Sequence, residues 1–159
     1  MPDGPGATST LEHEIRVEAS PETVFGFFTD PARMVRWMGN QATLDPRPGG
    51  VFQVDFVREI GQVAARGEFV EVVPFERLVF TWGIDLEAFG VPPGSTRVEV
   101  TLVPDGEGTI VRLAHSQLPE GSVSFHDAGW AHYLERLGVA PTGTETGTDD
   151  WFAPGVSWS

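Results

Sequence analysis

The sequence predicts an α+β fold in which a curved antiparallel sheet of about six or seven strands wraps around one long C-terminal helix. Most segments between residues 42 and 116 alternate apolar and polar residues, which is typical of half-buried strands. Short connections with turn signals such as Asp105-Gly106 favour hairpins between them. One long segment with helical periodicity, Ser122–Gly138, follows the last strand. This order of elements predicts a sheet that curls around the final helix.

The composition argues against several classes of partner and binding site. The chain has 159 residues, which suits one domain, and a formal net charge of −13. Such an acidic surface repels phosphate backbones and acidic membranes, so we expect neither nucleic acid nor membrane as a partner. The absence of cysteine excludes disulfides and thiolate metal sites. The first residues lack the basic start and apolar core of a signal peptide, so we expect a cytoplasmic protein.

The N-terminal third reads as a leader, a strand and two short helices. Residues 1–10 are rich in Gly, Pro, Ser and Thr and predict a flexible leader before the domain, residues 11–139. Residues 11–19 alternate and predict a strand with His13 on its inward side. Ser20 before a proline and an acidic residue predicts a helix start, as does Asp30 before the segment Ala32–Met38.

Six further strands are predicted along the middle of the chain. They are expected at residues 42–45, 51–58, 64–73, 77–85, 96–103 and 109–116. Residues 140–159 predict a linker and an aromatic tail that carries Trp151, Phe152 and Trp158. Because exposed indoles are unfavourable, we expect the tail to dock on its own domain or on a neighbour, where it would suit a homodimer contact.

The long helix carries apolar and polar residues on one face. Helical spacing places Val123, Trp130, Leu134 and Leu137 on one stripe, and His126, Asp127 and Tyr133 share or border it. Phe125 and His132 are predicted to face away. Gly129 costs about 1 kcal/mol relative to alanine in mid-helix, which close approach to a sheet or a ligand would offset. The pattern therefore fits either a helix that covers a cavity or a core helix with polar edges.

Four segments resemble a known family. They are ASPETVFGFFTDPARMVRW, the pair Gly49-Gly50 before a strand, GEFVEVVPFERLVFTW, and HDAGW-x3-LERL in the last helix. In this order they resemble the START-like, Bet v-like superfamily (SRPBCC), and most closely the branch named after activators of the heat-shock-protein-ninety ATPase. The resemblance runs from about His13 to Val139. It implies the helix-grip fold, with an apolar cavity between sheet and helix.

The resemblance leaves the function open. Similar proteins carry lipids, sterols or polyketides, and others are cyclases, aromatases or hydratases, with no shared catalytic motif. We therefore expect a binding protein for a small hydrophobic, aromatic or lipid-like molecule, with two alternatives. One is an enzyme of the polyketide cyclase or hydratase type. The other is a protein–protein or co-chaperone-like interaction module, although the eukaryotic activators carry a further N-terminal domain for which this chain has no room.

The candidate site residues face the expected cavity. The ligand-binding set is Trp37, Phe56, Phe69, Phe80, Trp82, His126, Trp130, Tyr133 and Leu134. His126, Asp127 and Tyr133 are the catalytic candidates, because a histidine beside a carboxylate can act as a general base. An inward arginine could reach a ligand carboxylate, and the candidates are Arg33, Arg36, Arg66 and Arg112. Arg112 alternates with apolar residues, so we expect it to face solvent. We expect no metal and no cofactor, since neither metal-ligand spacing nor a nucleotide-binding loop is present.

Overall fold

The protein consists of one seven-stranded antiparallel sheet and a long helix that follows the last strand in the chain. The computed structural model describes residues 8–58, 61–143 and 145–147. The strands are β1 (Thr8–Val17), β2 (Gln41–Leu44), β3 (Val51–Arg58), β4 (Gly61–Val73), β5 (Arg77–Trp82), β6 (Thr96–Asp105) and β7 (Gly108–Pro119). The helices are α1 (Pro21–Thr29), α2 (Pro31–Met34) and α3 (Val123–Val139). The predicted helix-grip fold is confirmed.

The strand order places the first strand beside the last. The strands lie in the order β1-β7-β6-β5-β4-β3-β2, and every pair of neighbours is antiparallel. From β2 to β7 the strands follow one another in chain order, whereas β1 lies beside β7. Helices α1 and α2 connect β1 to β2, which lies at the opposite edge of the sheet. Inward side chains of β3 to β7 and the buried stripe of α3 form one core.

The two short helices begin where the sequence predicted. The Ser20 hydroxyl accepts from the Thr23 amide at 3.2 Å, and the Asp30 carboxylate accepts from the Ala32 amide at 3.2 Å. The second helix is shorter than the predicted Ala32–Met38, because α2 ends at Met34 and the chain continues in turns. Those turns bring Trp37 into the core, where its indole N–H donates to the Phe27 carbonyl at 2.7 Å.

Several predicted strand boundaries differ from the structure; β4, for example, begins at Gly61 and β7 ends at Pro119. β1 begins at Thr8, so residues 8–10 belong to the sheet instead of the expected leader. β5 ends at Trp82 instead of residue 85, because Gly83 lets the Pro92 backbone approach it closely. The β6–β7 hairpin has a two-residue loop, since Asp105 pairs with Gly108, and Gly106 supplies the positive φ of 62° that such a turn needs.

The chain beyond α3 stays close to the domain as far as residue 147. Arg136 donates to the Trp37 carbonyl at 3.0 Å and to the Thr146 carbonyl at 2.8 Å, which fastens residues 145–147 beside α2. Part of the expected linker is therefore held in place. The tail aromatics Trp151, Phe152 and Trp158 lie outside the described residues. Within the described part of the chain, no helix is both long and apolar enough to span a membrane.

Candidate functional site

An apolar cavity opens at one end of the space between α3 and the sheet. The helix contributes Phe125, His126, Gly129, Trp130 and Tyr133 to its wall. The sheet side contributes Phe56, Arg58, Val63, Trp82 and Ile84, and Met38 and Phe89 complete the rim. The cavity thus lies beside the N-terminal half of α3 instead of under its whole length.

The enclosed space is small and continues into an open cleft. The cavity volume is about 60 Å³, whereas the cleft with its solvent-open part measures about 560 Å³. Binding sites for small molecules commonly range from about 300 to about 1,000 Å³. The cavity is smaller than this range, so a ligand of ordinary size would extend into the open cleft or displace side chains at the rim.

Helical spacing explains which side chains of α3 reach the cavity. His126, Gly129, Trp130 and Tyr133 recur at intervals of three and four and share one face. Gly129 lies in the middle of this face and lines the cavity. Phe125 was predicted to face away, but it lines the cavity because its ring packs edge-on against Phe89 with centroids 5.0 Å apart.

Asp127, the predicted partner of His126, points away from the cavity. Its carboxylate lies 2.8 Å from Nε2 of His13 on β1, and 61% of its side chain is exposed. His126 and Asp127 are consecutive residues of α3, and the side chains of consecutive helical residues project about 100° apart. The structure therefore separates Asp127 from His126.

His126 is buried, with both ring nitrogens in hydrogen bonds. The indole N–H of Trp82 donates to Nε2 at 3.2 Å, and Nδ1 lies 2.9 Å from the Ser122 carbonyl. An indole is only a donor and a carbonyl only an acceptor, so His126 is neutral with its proton on Nδ1. The Ser122 hydroxyl itself donates to the Pro119 carbonyl at 2.8 Å.

A second buried histidine, His115 on β7, forms a matching arrangement. The indole N–H of Trp130 donates to its Nδ1 at 3.0 Å, and its Nε2 lies 2.7 Å from Oγ1 of Thr96. Because the Thr96 hydroxyl donates to the Trp82 carbonyl at 2.8 Å, it accepts from His115, whose proton is therefore on Nε2. We call these five residues, Trp82, Thr96, His115, His126 and Trp130, the indole–histidine network.

Burial keeps both histidines of this network neutral. The His115 side chain is 0% exposed and that of His126 is 3% exposed. Burial lowers the pKa of His115 to about 2, with a smaller contribution from His126, whose ring centroid is 5.0 Å away. Burial likewise lowers the pKa of His126 to about 4, partly opposed by its bond to the Ser122 carbonyl.

Arg58 and Tyr133 form the polar part of the cavity wall. Nη2 of Arg58 donates to the Tyr133 hydroxyl at 3.3 Å, and Nη1 donates to Oδ1 of Asn40 at 2.9 Å. The guanidinium lies 5.5 Å from the centroid of the Phe56 ring. An arginine and a phenol therefore stand together at the edge of an aromatic surface.

Five of the nine ligand-binding candidates line the cavity and four do not. Those that do are Phe56, Trp82, His126, Trp130 and Tyr133. Trp37, Phe69, Phe80 and Leu134 pack in the core instead. Phe69 and Phe80 are opposite each other on β4 and β5 and contact Phe52, whose ring stacks on Phe80 at 4.0 Å.

None of the four arginines considered from the sequence reaches the cavity. Arg33 lies near Asp30 on the surface, and Arg66 lies near Asp85. Arg36 lies over the ring of Phe27 at 5.4 Å. Arg112 faces solvent as predicted, where its Nε donates to Glu14 at 2.8 Å.

The sequence analysis named neither Arg58 nor His115 as a binding residue, and it also missed the apolar wall residues Met38, Val63, Ile84 and Phe89. Arg58 follows Phe52, Val54 and Phe56 at intervals of two, so the alternation of β3 carried the signal. Across the described ranges, no three or more His, Asp or Glu side chains come together in a group that could hold a metal ion.

Comparison with known proteins gives one family match. The family described as "Activator of Hsp90 ATPase homolog 1-like protein" matches residues 18–140. No curated protein sequence matches the chain. An AHSA1-like protein from Rhizobium etli is 39% identical, with 92% of this chain and 90% of that chain covered and a TM-score of 0.69.

Two further solved structures are similar. DynU16, described as a protein in the dynemicin biosynthetic locus, is 26% identical with a TM-score of 0.74, and the match covers 90% of this chain. This chain spans about half of DynU16, 51% of its length. CalU16 from Micromonospora echinospora is 27% identical with a TM-score of 0.67, and the match covers 82% of this chain and 73% of that chain.

Proposed function

The chain belongs to the family of Activator of Hsp90 ATPase homolog 1-like proteins, and on that premise we propose that it binds a small, flat, hydrophobic molecule in the cleft beside α3. The observation that carries the proposal is the cavity wall, in which aromatic rings from the sheet, from α3 and from the 3₁₀ turn Glu87–Phe89 converge on one opening. The fold is that of the SRPBCC ligand-binding proteins.

The shape and chemistry of the wall favour an aromatic ligand. Trp82 and Trp130 pack against each other with centroids 5.3 Å apart, and Phe56 and Tyr133 do so at 6.0 Å. Aromatic rings prefer offset or edge-on neighbours about 4.5 to 7 Å away, so a flat ring in the cleft would find such contacts on several sides. Binding would remove apolar surface from water, at about 25 cal/mol per Å².

The similarity to a protein of a biosynthetic locus agrees with a small-molecule role. The ligand need not be the same, because the superfamily fold hosts many functions. The cytoplasmic location and the homodimer expected from the sequence stay predictions.

The alternative of acid–base catalysis by His126 has less support than binding. A general base needs an accessible lone pair, whereas Nε2 of His126 accepts from the Trp82 indole and Nδ1 donates to a carbonyl. Its lowered pKa of about 4 also makes it a weak base near neutral pH. The alternative of an interaction module depends on the aromatic tail, which lies outside the described residues.

A fluorescence titration with the neutral probe N-phenyl-1-naphthylamine tests the proposal. We expect saturable binding to the wild type. Gly129→Leu should raise the dissociation constant at least about tenfold, because the new side chain projects from the cavity face of α3. Gly129→Ala is the matched control, since it changes the same position by one methyl group, and it should alter the dissociation constant less than about threefold.

Circular dichroism and urea unfolding would establish that each variant is folded. Absence of saturable probe binding by folded wild-type protein would refute the proposal. Equal affinities of the wild type and Gly129→Leu would place the bound probe somewhere other than this cavity. Trp130→Ala is a poorer test, because the indole is 3% exposed and bonds to His115, so its loss would disturb the core itself.

A further inference from the structure

We infer that the C-terminal segment, residues 148–159, covers the mouth of the cavity in its own molecule through Trp151 and Phe152, so that a ligand competes with this segment. The inference rests on the proposed function and adds the regulation of that site. The sequence of the segment is TDDWFAPGVSWS, with two aromatic residues side by side after two aspartates. It follows Gly147, the last residue that the structure describes.

The point at which the segment begins is held in place by one arginine of α3. Nη1 of Arg136 donates to the Thr146 carbonyl at 2.8 Å, and Nη2 donates to the Gly147 carbonyl at 3.0 Å. The same guanidinium donates through Nε to the Trp37 carbonyl at 3.0 Å. The Thr146 hydroxyl donates to the Arg36 carbonyl. The segment therefore starts beside the turns that follow α2.

This starting point lies close to the cavity. The turns that hold it continue into Met38, which lines the cavity. Arg136 is also one turn of α3 beyond Tyr133, another wall residue, which is about 4.5 Å along the helix axis. Four residues lead from Gly147 to Trp151, and an extended chain of that length spans about 13 Å. The indole can therefore reach the mouth of the cavity while the described residues stay where they are.

The mouth of the cavity suits aromatic side chains better than the outer face of the sheet does. Phe89 and Phe125 are half-buried at the rim, with ring centroids 5.0 Å apart in an edge-on contact. Further rings would find aromatic neighbours there at about 4.5 to 7 Å. The outer face carries ion pairs instead, such as Arg112 with Glu14 at 2.8 Å. An indole placed on that face would cover charged groups and leave the apolar rim in water.

The short connection favours the cavity of the same molecule over that of a second copy. Only three residues separate Gly147 from Trp151. A short link of this kind gives the attached group an effective concentration on the order of millimolar at a site within its reach. A second copy would supply the same aromatic residues only at the concentration of the protein in solution. The segment should therefore cover its own cavity in a dilute sample.

A nitroxide attached to the segment tests its position without any ligand. Because the chain has no cysteine, Ala153→Cys supplies one thiol next to the two aromatic residues. The nitroxide should broaden the amide NMR signals of Phe125 and Gly129 at the cavity. The signals of Gly106 and Glu107 are the control, because the β6–β7 turn lies about 30 Å along β6 from the end that pairs with Trp82. Saturation with N-phenyl-1-naphthylamine should restore the cavity signals.

A fluorescence titration with the same probe measures the competition. The double variant Trp151→Ser and Phe152→Ser should lower the dissociation constant at least about fivefold, because the apparent affinity of the wild type is reduced by the fraction of molecules whose cavity is covered. Trp158→Ser is the matched control, since it removes an indole from the same segment, and it should change the dissociation constant less than about twofold. An equal gain from Trp158→Ser would overturn the assignment to residues 151 and 152.

The remaining outcomes separate this inference from the proposed function. Unbroadened cavity signals would overturn the inference. A mixture of isotope-labelled protein without nitroxide and unlabelled protein with nitroxide detects contacts between molecules, and broadening of similar strength there would assign the segment to a second copy and overturn the placement in the same molecule. Equal probe affinities of the wild type and the double variant would overturn the competition and leave the proposed function intact. Absence of probe binding by the folded wild type would refute the proposed function, and the nitroxide would still report where the segment lies.

Discussion

Acidification is expected to destabilise the protein through the two buried histidines of the indole–histidine network. Burial lowers the pKa of His115 to about 2 and that of His126 to about 4, from the ordinary value of 6.5. Between pH 6.5 and its own lowered pKa, each histidine is protonated in the unfolded chain but stays neutral in the folded protein. The stabilisation by each neutral histidine is therefore fully present above pH 6.5 and decreases as the pH falls, until the folded state also becomes protonated.

The size of the effect follows from the two pKa values. Each excluded proton changes the free energy of unfolding by about 1.4 kcal/mol per pH unit. Near pH 5 each histidine has then lost about 2 kcal/mol, and the two together about 4 kcal/mol, which is a large part of the stability of a typical domain. The contribution of His126 should stop changing near pH 4, whereas that of His115 continues to decrease to about pH 2.

Urea unfolding between about pH 7.5 and about pH 4.5 measures this dependence. His115→Gln and His126→Gln keep a carbonyl that can accept from the indole, but they remove the titrating ring. Each variant should reduce the pH slope by about 1.4 kcal/mol per unit relative to the wild type, whatever its stability near neutral pH. Carboxylates titrate alike in all the proteins, so they cancel in the difference.

The same pH slope in the wild type and in a variant that carries both histidine substitutions would refute the conclusion that the two histidines are buried in the neutral form. A second measurement addresses the proton positions directly. Nitrogen NMR of the histidine rings near pH 7 should show opposite tautomers, with the proton on Nδ1 of His126 and on Nε2 of His115. Two identical tautomers would contradict the assigned hydrogen bonds.

Two predictions concern close packing in the sheet and beside α2. Gly67→Ala should lower the free energy of unfolding by about 3 kcal/mol in urea titrations, because a methyl group there would overlap the Thr81 carbonyl on β5, and an unchanged midpoint would contradict this packing. Trp37→Phe should lower it by about 2 to 3 kcal/mol, since it removes the indole that bonds to the Phe27 carbonyl and leaves space behind, and a loss below about 0.5 kcal/mol would contradict that assignment.

The fold was predictable because its signals are local. Alternation in β3, β6 and β7 fixed which residues point inward, and the caps Ser20 and Asp30 fixed the start of both short helices. The same alternation placed Arg58 on the inner face of β3, so this residue could have been named in advance. Strand ends were less predictable, since β5 ends where Gly83 admits the Pro92 backbone, a contact between distant segments.

The division of inward residues between core and cavity could not be predicted from periodicity. Phe52 and Phe56 both point inward from β3, but four residues of strand separate them by about 13 Å. Phe52 meets Phe69 and Phe80 in the core, whereas Phe56 lies next to Tyr133 at the open end. Whether an inward residue lies in the core or in the cavity wall depends on strand register and sheet twist. No local pattern in a single sequence contains that information.

The indole–histidine network lies next to the cavity, and three of its residues, Trp82, His126 and Trp130, line the cavity wall. His115 bonds to Trp130, and each polar hydrogen of the network has a protein acceptor, so the core tolerates five buried polar groups. The network also fixes the rings of Trp82 and Trp130, which form the inner wall of the cavity. A wall held by hydrogen bonds loses little freedom when a ligand packs against it, which favours selective binding of a flat molecule.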